Sequence, residues 1–152
     1  MGKVIIKICV VVFGVLVAVG GSYAQTEPPK TLKIGVIGPF TGASADFGVP
    51  MFNGIQLAVD EINAVGGYLG RKLEIARKDD QANPDVGLAL SKELVAEKVA
   101  ATIGFCNTGV AAKSIEVFQT SKLPLIVPCS TGSPLTAKYP APESYIFRTS
   151  AK

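Results

Sequence analysis

Short apolar runs and helical stripes alternate along this chain from residue 32 onward. Runs rich in β-branched residues are typical of strands, and the first is LKIGVI at 32–37. Stretches with apolar residues three and four positions apart predict helices between the first four runs. The pattern predicts strands at 32–37, 72–76, 100–105, 123–127 and 145–148, and helices at 50–65, from 83 onward, and at 108–121. This alternation predicts an α/β fold, with a parallel sheet and helices on both of its faces.

The loops that follow the predicted strands carry candidate ligand-binding residues. In parallel sheets of this class, ligands bind outside the carboxyl ends of the strands. Asn107 and Thr108 follow the third strand and begin a helix, whose first N–H groups would favour a carboxylate or a phosphate. Ser130 and Thr131 follow the fourth strand, which is expected to lie beside the third. The alternative for Asn107 and Thr108 is that they only cap the helix.

Two other loops allow both a functional and a structural interpretation. Phe47 lies in the small-residue loop GASADFG, where it would either line a ligand cleft or fold back onto the core. Asp79 and Asp80 would suit a metal or an acid–base pair. A solvated turn is favoured for them instead, because Asn83-Pro84 directly afterwards is typical of a helix start.

The first 24 residues have the pattern of a secretory signal peptide. Lys3 and Lys7 precede an uncharged apolar stretch, and Ser22-Tyr23-Ala24 places small residues where signal peptidase cleaves. The apolar stretch is short for a membrane span, which needs about 20 residues. Cleavage after residue 24 would leave a mobile lead-in at 25–31 on a periplasmic or extracellular chain.

Composition removes several classes of chemistry. The 152 residues include no histidine, which excludes Ser–His–Asp and Cys–His catalysis and most zinc sites. The net charge of +3 falls to +1 without the signal segment, so the chain lacks the charge pattern of a nucleic-acid-binding protein. Cys106 and Cys129 each lie just past a predicted strand, and in an oxidising compartment they would form either a disulfide or two buried thiols.

The stretch IGVIGPFTGASADFGVPMFNGIQLAVDEINAVGGYLGRKLEIARKDDQANP resembles the opening of the type I periplasmic binding proteins. The later motifs NTGVA and STGSPLT extend the resemblance over nearly all of residues 32–152. The most similar group is the leucine/isoleucine/valine-binding family, the soluble component of an ABC importer. The resemblance implies the N-terminal lobe of such a protein, with a flavodoxin-like strand order and without a metal or cofactor.

The resemblance also implies roles for particular residues. Thr108 matches the residue whose hydroxyl receives the α-carboxylate of the ligand. Cys129, mainly through its backbone, and Thr131 match contacts to the amino-acid head group, and Phe47 matches an aromatic residue of the cleft. The implied ligand is a branched-chain amino acid or a related small carboxylate or amide. The implied partners are the permease subunits of the importer, and the implied state is a periplasmic monomer without catalysis.

Two other functions stay open at this point. One is a sensory or receptor domain of the same fold, and the other, less favoured, is an exported α/β enzyme. The lack of histidine and of a G-x-S-x-G motif weighs against the enzyme. In the resembling family the segment YIFRTS leads across a hinge into a second lobe, so residues 32–152 are expected to be an incomplete first lobe.

Overall fold

The computed structural model describes residues 30–151, which form a five-stranded parallel sheet with four helices. The elements are β1 (Thr31–Gly38), α1 (Ala45–Ala64), β2 (Lys72–Asp79), α2 (Pro84–Ala96), β3 (Ala101–Ile103), α3 (Thr108–Thr120), β4 (Leu125–Val127), α4 (Pro134–Ala137) and β5 (Ile146–Arg148). The strand order is β2-β1-β3-β4-β5. This order confirms the α/β class and the flavodoxin-like arrangement. The predicted signal peptide and most of the lead-in lie outside the described residues.

Helices cover both faces of the sheet because successive strand residues point to opposite sides. On one face, Ile34 and Ile103 lie along a groove beside Val59 of α1. On the other face, the strands pack with α2, α3 and α4 to form the main core. The buried apolar residues of that core are Ile37, Leu94, Val99, Phe105, Val110, Ala111, Ile115, Phe118, Leu123, Leu125, Val127, Leu135 and Ile146.

Helix α1 begins at Ala45, five residues before its predicted start. Proline is typical of the first helical position, so Pro50 marked the start in the sequence, but it lies in the second turn of the helix. The predicted end is confirmed. Gly66 and Gly67 take φ angles of 104° and 82°, and the Gly67 N–H donates to the carbonyl of Ile62, 2.9 Å away.

The loop between β1 and α1 is tied to the end of β2. The Phe40 N–H and the Thr41 hydroxyl donate to the two carboxylate oxygens of Asp79, at 2.9 Å and 2.6 Å. The Arg77 guanidinium lies 4.4 Å from the ring centre of Phe40 and 4.5 Å from that of Phe52. These contacts hold the glycine-rich loop against the sheet.

The expectation of a solvated Asp79–Asp80 turn is wrong. Asp80 is completely buried, and Asp79 is partly buried under its hydrogen-bond donors. The turn folds inward because the Ala82 N–H donates to Asp80 and the Gln81 N–H donates to Asp79. Among residues 30–151 no group of three or more Asp, Glu, His or Cys side chains is arranged for a metal, and no helix is long and apolar enough to cross a membrane.

Candidate functional site

The site lies where β3 and β4 end. Ile103 pairs with Ile126, so the loops that follow these strands leave the sheet side by side. The backbone N–H and the hydroxyl of Ser130 both donate to the carbonyl of Phe105, at 3.2 Å and 3.0 Å. These two bonds join the loop after β4 to the loop after β3. The structure therefore brings together the two segments that the sequence singled out.

The N-terminus of α3 has no side-chain cap. Asn107 occupies the cap position, but its side chain accepts no hydrogen bond from the first turn. Its amide nitrogen instead donates to the Ser44 hydroxyl, 3.3 Å away, and its buried oxygen Oδ1 has no partner. The first N–H groups of a helix have no acceptor within the helix, so those at the start of α3 are available to a ligand. The capping-only interpretation of Asn107 does not hold in this structure.

Helix α2 provides the contrast within the same chain. Asn83 has nearly the same cap backbone, and its Oδ1 accepts from the N–H groups of Asp85 and Val86 at 2.9 Å and 3.3 Å. Asn107 at the start of α3 could make the same bonds but is turned toward Ser44. Both helices therefore begin with asparagine, but only α2 is capped by its side chain. The first N–H groups of α3 have no side-chain acceptor.

This contrast predicts unequal costs for two equivalent substitutions. Asn83→Ala removes a working cap and is expected to lower the free energy of unfolding by about 1 kcal/mol. Asn107→Ala removes no cap bond. It removes the 3.3 Å bond to Ser44, which stabilises, and a buried oxygen without a partner, which destabilises, so a net change within about 0.5 kcal/mol is expected. Urea unfolding of both variants beside the parent measures the difference. Equal losses would show that Asn107 caps α3 in solution.

Thr108 and the loop after β4 are in direct contact. A Cβ built on Gly132 would lie 2.3 Å from Cγ2 of Thr108, so only glycine permits this approach. Thr108 and Thr131 are both exposed, and the Thr131 carbonyl accepts a hydrogen bond from the Arg148 guanidinium at 2.8 Å. The two threonines thus lie on one exposed edge, as the strand order predicted.

Ser130 differs from its neighbours. It is buried, and its hydroxyl is already bonded to the Phe105 carbonyl. Its own carbonyl accepts from the Ser150 hydroxyl at 2.7 Å. Its observed contacts therefore hold the loop in place, and its expected contact with a ligand stays a prediction.

Phe47 lies in the first turn of α1 rather than in a loop, and 66% of its surface is exposed. It has not folded back onto the core. Together with Met51, Ile103, Pro128 and Cys129 it lines an apolar groove of about 630 Å³. An exposed aromatic ring beside the loop after β4 fits the expected apolar wall of a ligand cleft.

Cys106 and Cys129 are free thiols in this structure. Burial raises the pKa of the Cys106 thiol, and the neighbouring Cys129 thiol and the charge of Asp80 raise it further. The disulfide between the two cysteines is not formed here and stays a prediction.

Comparison with known proteins identifies the family. The family model described as "Periplasmic binding protein" matches residues 31–152. The chain belongs to the periplasmic binding protein family. A curated relative, Leu/Ile/Val-binding protein homolog 3 of Brucella melitensis, is 34% identical over 107 residues, which are 70% of this chain and 29% of the relative.

Solved structures of periplasmic binding proteins have the same fold. The branched-chain amino acid transporter substrate-binding protein LivJ of Streptococcus pneumoniae, in complex with isoleucine, has a TM-score of 0.75 and 32% identity. The match covers 80% of this chain and 34% of that one. A solute-binding protein of an ABC transporter from Rhodopseudomonas palustris, in complex with 3,4-dihydroxybenzoic acid, has a TM-score of 0.71 and 34% identity, with 80% and 32% covered.

These relatives confirm the resemblance, and each of them is described as a binding protein. The chain spans about a third of the length of the relatives it matches. The family is periplasmic by its description.

Several contributors to the site carried no usable signal in the sequence. Ser44 turns Asn107 away from the helix, Arg148 binds the Thr131 carbonyl, and Met51 lies against Cys106. Each is far along the chain from its partner, and none belongs to a local motif. Gly132 differs from them, because it lies inside the STGSP motif that the sequence already indicated as a candidate binding loop.

Proposed function

We propose that this chain is the N-terminal lobe of the solute-binding protein of an ABC importer. It would bind a branched-chain amino acid or a related small carboxylate or amide. The observation that carries the proposal is the open N-terminus of α3, whose donors lie beside exposed Thr108 and the loop after β4. Residues 1–24 would direct export to the periplasm, and residues 25–31 would form a mobile lead-in.

The chemistry of the edge suits a carboxylate. Backbone N–H groups at the start of α3 and the Thr108 hydroxyl supply donors, and the helix dipole adds a partial positive charge. Thr131 and the backbone of Cys129 would contact the polar atoms next to the carboxylate, and Phe47, which lines the apolar groove, would supply an apolar surface. Asn107 would contribute its unpaired oxygen as an acceptor. A second lobe would close over the ligand and exclude water.

Exposure on one side of the sheet supports the view that residues 32–152 are part of a larger unit. On the face that carries α1, Ile103 and Ile126 are partly exposed and Phe147 is 51% exposed. Apolar side chains in a row across three neighbouring strands are normally covered. In the proposed arrangement, further chain covers this face and supplies the second lobe, and the protein acts as a monomer with membrane permease subunits.

The test is ligand binding by the product of the complete reading frame. Leucine, isoleucine, valine and 3,4-dihydroxybenzoate form a suitable panel for calorimetry, since relatives are found with isoleucine and with that aromatic acid. Thr108→Ala is expected to weaken binding about 10-fold to 100-fold, because a hydrogen bond to a charged group contributes about 1.5–3 kcal/mol. Thr108→Ser retains the hydroxyl and is expected to retain most of the affinity.

Thr120→Ala is the matched control, since Thr120 lies at the other end of α3 with its hydroxyl bonded to the carbonyl of Glu116. The Thr120→Ala protein should bind the ligand with the affinity of the parent. A Thr108→Ala protein that binds as tightly as the parent would remove Thr108 from the site. A reading frame that continues into a membrane helix and a signalling domain would contradict the importer and favour a receptor.

A further inference from the structure

Three sulfur atoms converge where β3, β4 and α1 meet. Sγ of Cys106 lies 3.7 Å from Sδ of Met51, and Cys129 directly precedes Ser130, whose N–H and hydroxyl donate to the carbonyl of Phe105, the neighbour of Cys106. The sheet register supports this placement independently, since Ile103 and Ile126 are paired and each precedes a cysteine by three residues. The sulfur atoms thus come from a helix and from two loops that the bonds between Ser130 and Phe105 hold together.

We propose that Met51, Cys106 and Cys129 form a binding site for Cu(I), a soft monovalent metal ion. Thiolate and thioether sulfur suit Cu(I), whereas structural zinc sites take four thiolate or imidazole ligands and harder cations take oxygen ligands. The chain has no histidine. In the part that the structure describes, no carboxylate cluster competes for the same ion.

The distance between the sulfur atoms of Cys106 and Met51 suits trigonal coordination. Three metal–sulfur bonds of about 2.3 Å in a plane place the sulfur atoms about 4 Å apart. The observed separation of 3.7 Å between Cys106 and Met51 is within a few tenths of an ångström of this value. Cys106 and Met51 would therefore need only small side-chain adjustments to share one metal ion.

The reaction balances without an oxidant or reductant. One Cu(I) ion and two thiols give a complex of two thiolates and one thioether with a net charge of −1, and two protons leave to solvent. Met51 and Cys129 line the apolar groove, and within residues 30–151 all three side chains are partly exposed. The proposed contact of Cys129 with an amino-acid ligand uses its backbone, so its thiol stays free for the metal.

The test uses the chain with Cys9→Ser, so that Cys106 and Cys129 are its two thiols. The reduced protein is titrated without oxygen against Cu(I) held by bicinchoninate, and bound copper is counted by elemental analysis. One Cu(I) per chain is expected, with three sulfur neighbours by X-ray absorption. Cys106→Ser and Cys129→Ser are each expected to weaken binding by at least about 100-fold and Met51→Leu by at least about 10-fold, since loss of a group that only supports a ligand already costs about 10-fold to 100-fold.

Met51→Leu nearly preserves side-chain volume, so its unfolding midpoint should match that of the parent and separate ligation from packing. Equal Cu(I) affinity in Met51→Leu and the parent would overturn the three-sulfur site. Undiminished binding by Cys106→Ser would do the same. Thiol quantitation on unfolded, unreduced protein from the periplasm that found no thiol would replace the metal site with the predicted disulfide.

Discussion

Replacing Gly104 with alanine is expected to lower the free energy of unfolding by about 3 kcal/mol, the upper end of the usual cost of overpacking. A Cβ at this position would lie 2.2 Å from the carbonyl oxygen of Ile37 and 2.5 Å from its Cγ2. Ile37 belongs to β1, which is held by β2 on one side and β3 on the other. Gly104 is itself held, since its N–H donates to the carbonyl of Ile126 at 3.0 Å. Neither backbone can move aside cheaply.

Gly54→Ala is the control for this substitution. A Cβ on Gly54 would meet nothing within 4 Å, and the residue lies in the middle of α1. Alanine there is expected to stabilise the chain by up to about 1 kcal/mol through helix propensity. Urea unfolding measures both the midpoint and the m value, the slope of the unfolding free energy against urea concentration. An unchanged m value shows that a shifted midpoint reflects stability and not compactness. A Gly104→Ala chain within about 1 kcal/mol of the parent would mean that the β3–α3 loop is not held by the sheet.

Asp80→Asn is expected to alter the pH dependence of stability more than any neighbouring change. Burial raises the pKa of Asp80 from 3.8 to about 6, despite the hydrogen bond from the Ala82 N–H, and the charge of Asp79 adds to the shift. The folded state therefore binds the proton more tightly than the unfolded state. The stability that this group contributes is complete below pH 3.8 and is lost as pH rises to about 6.

The loss amounts to about 3 kcal/mol, since each pKa unit corresponds to about 1.4 kcal/mol. Asparagine cannot ionise, so the variant should gain about that much relative to the parent between about pH 4 and pH 7. The readout is the difference in unfolding free energy between variant and parent along the pH series. The other carboxylates contribute equally to variant and parent, so their effect cancels in this difference. A cost of the new amide would be the same at every pH, so the change of the difference with pH reports Asp80 alone.

Asp79→Asn tests the sign. Burial opposes the ionisation of Asp79, but hydrogen bonds from Thr41, Phe40 and Gln81 outweigh it and lower the pKa of Asp79. Stability from this group is present above the unfolded pKa and is lost as pH falls toward the folded value. The Asp79→Asn variant should therefore be less stable than the parent at neutral pH, and its unfolding free energy should approach that of the parent as pH falls. Parallel curves for Asp79→Asn and Asp80→Asn would contradict the assignment of opposite environments to the two carboxyls.

Local patterns were sufficient for most elements and for the candidate edge. The β-branched runs and three-and-four spacings identified the five strands and three of the four helices, because these periodicities reflect which side chains must be buried. The start of α1 was misplaced because Pro50 is compatible with either the first or the second turn of a helix. The Phe47 and Gly48 N–H groups already donate to the carbonyl of Ser44, so the helix begins before Pro50. The short helix α4 has too few residues to show a period.

The sequence by itself determined the alternation of strands and helices, the absence of histidine chemistry and the polar character of the loops after β3 and β4. These properties follow from residue types at fixed spacing along one segment. The tertiary structure alone decided that Asn83 caps its helix while Asn107 turns toward Ser44, that Asp80 is buried, and that sulfur atoms 55 residues apart in the chain lie in contact. The physical reason is that hydrogen-bond choice, desolvation and contact depend on residues brought from distant elements, and a local pattern carries no information about those partners.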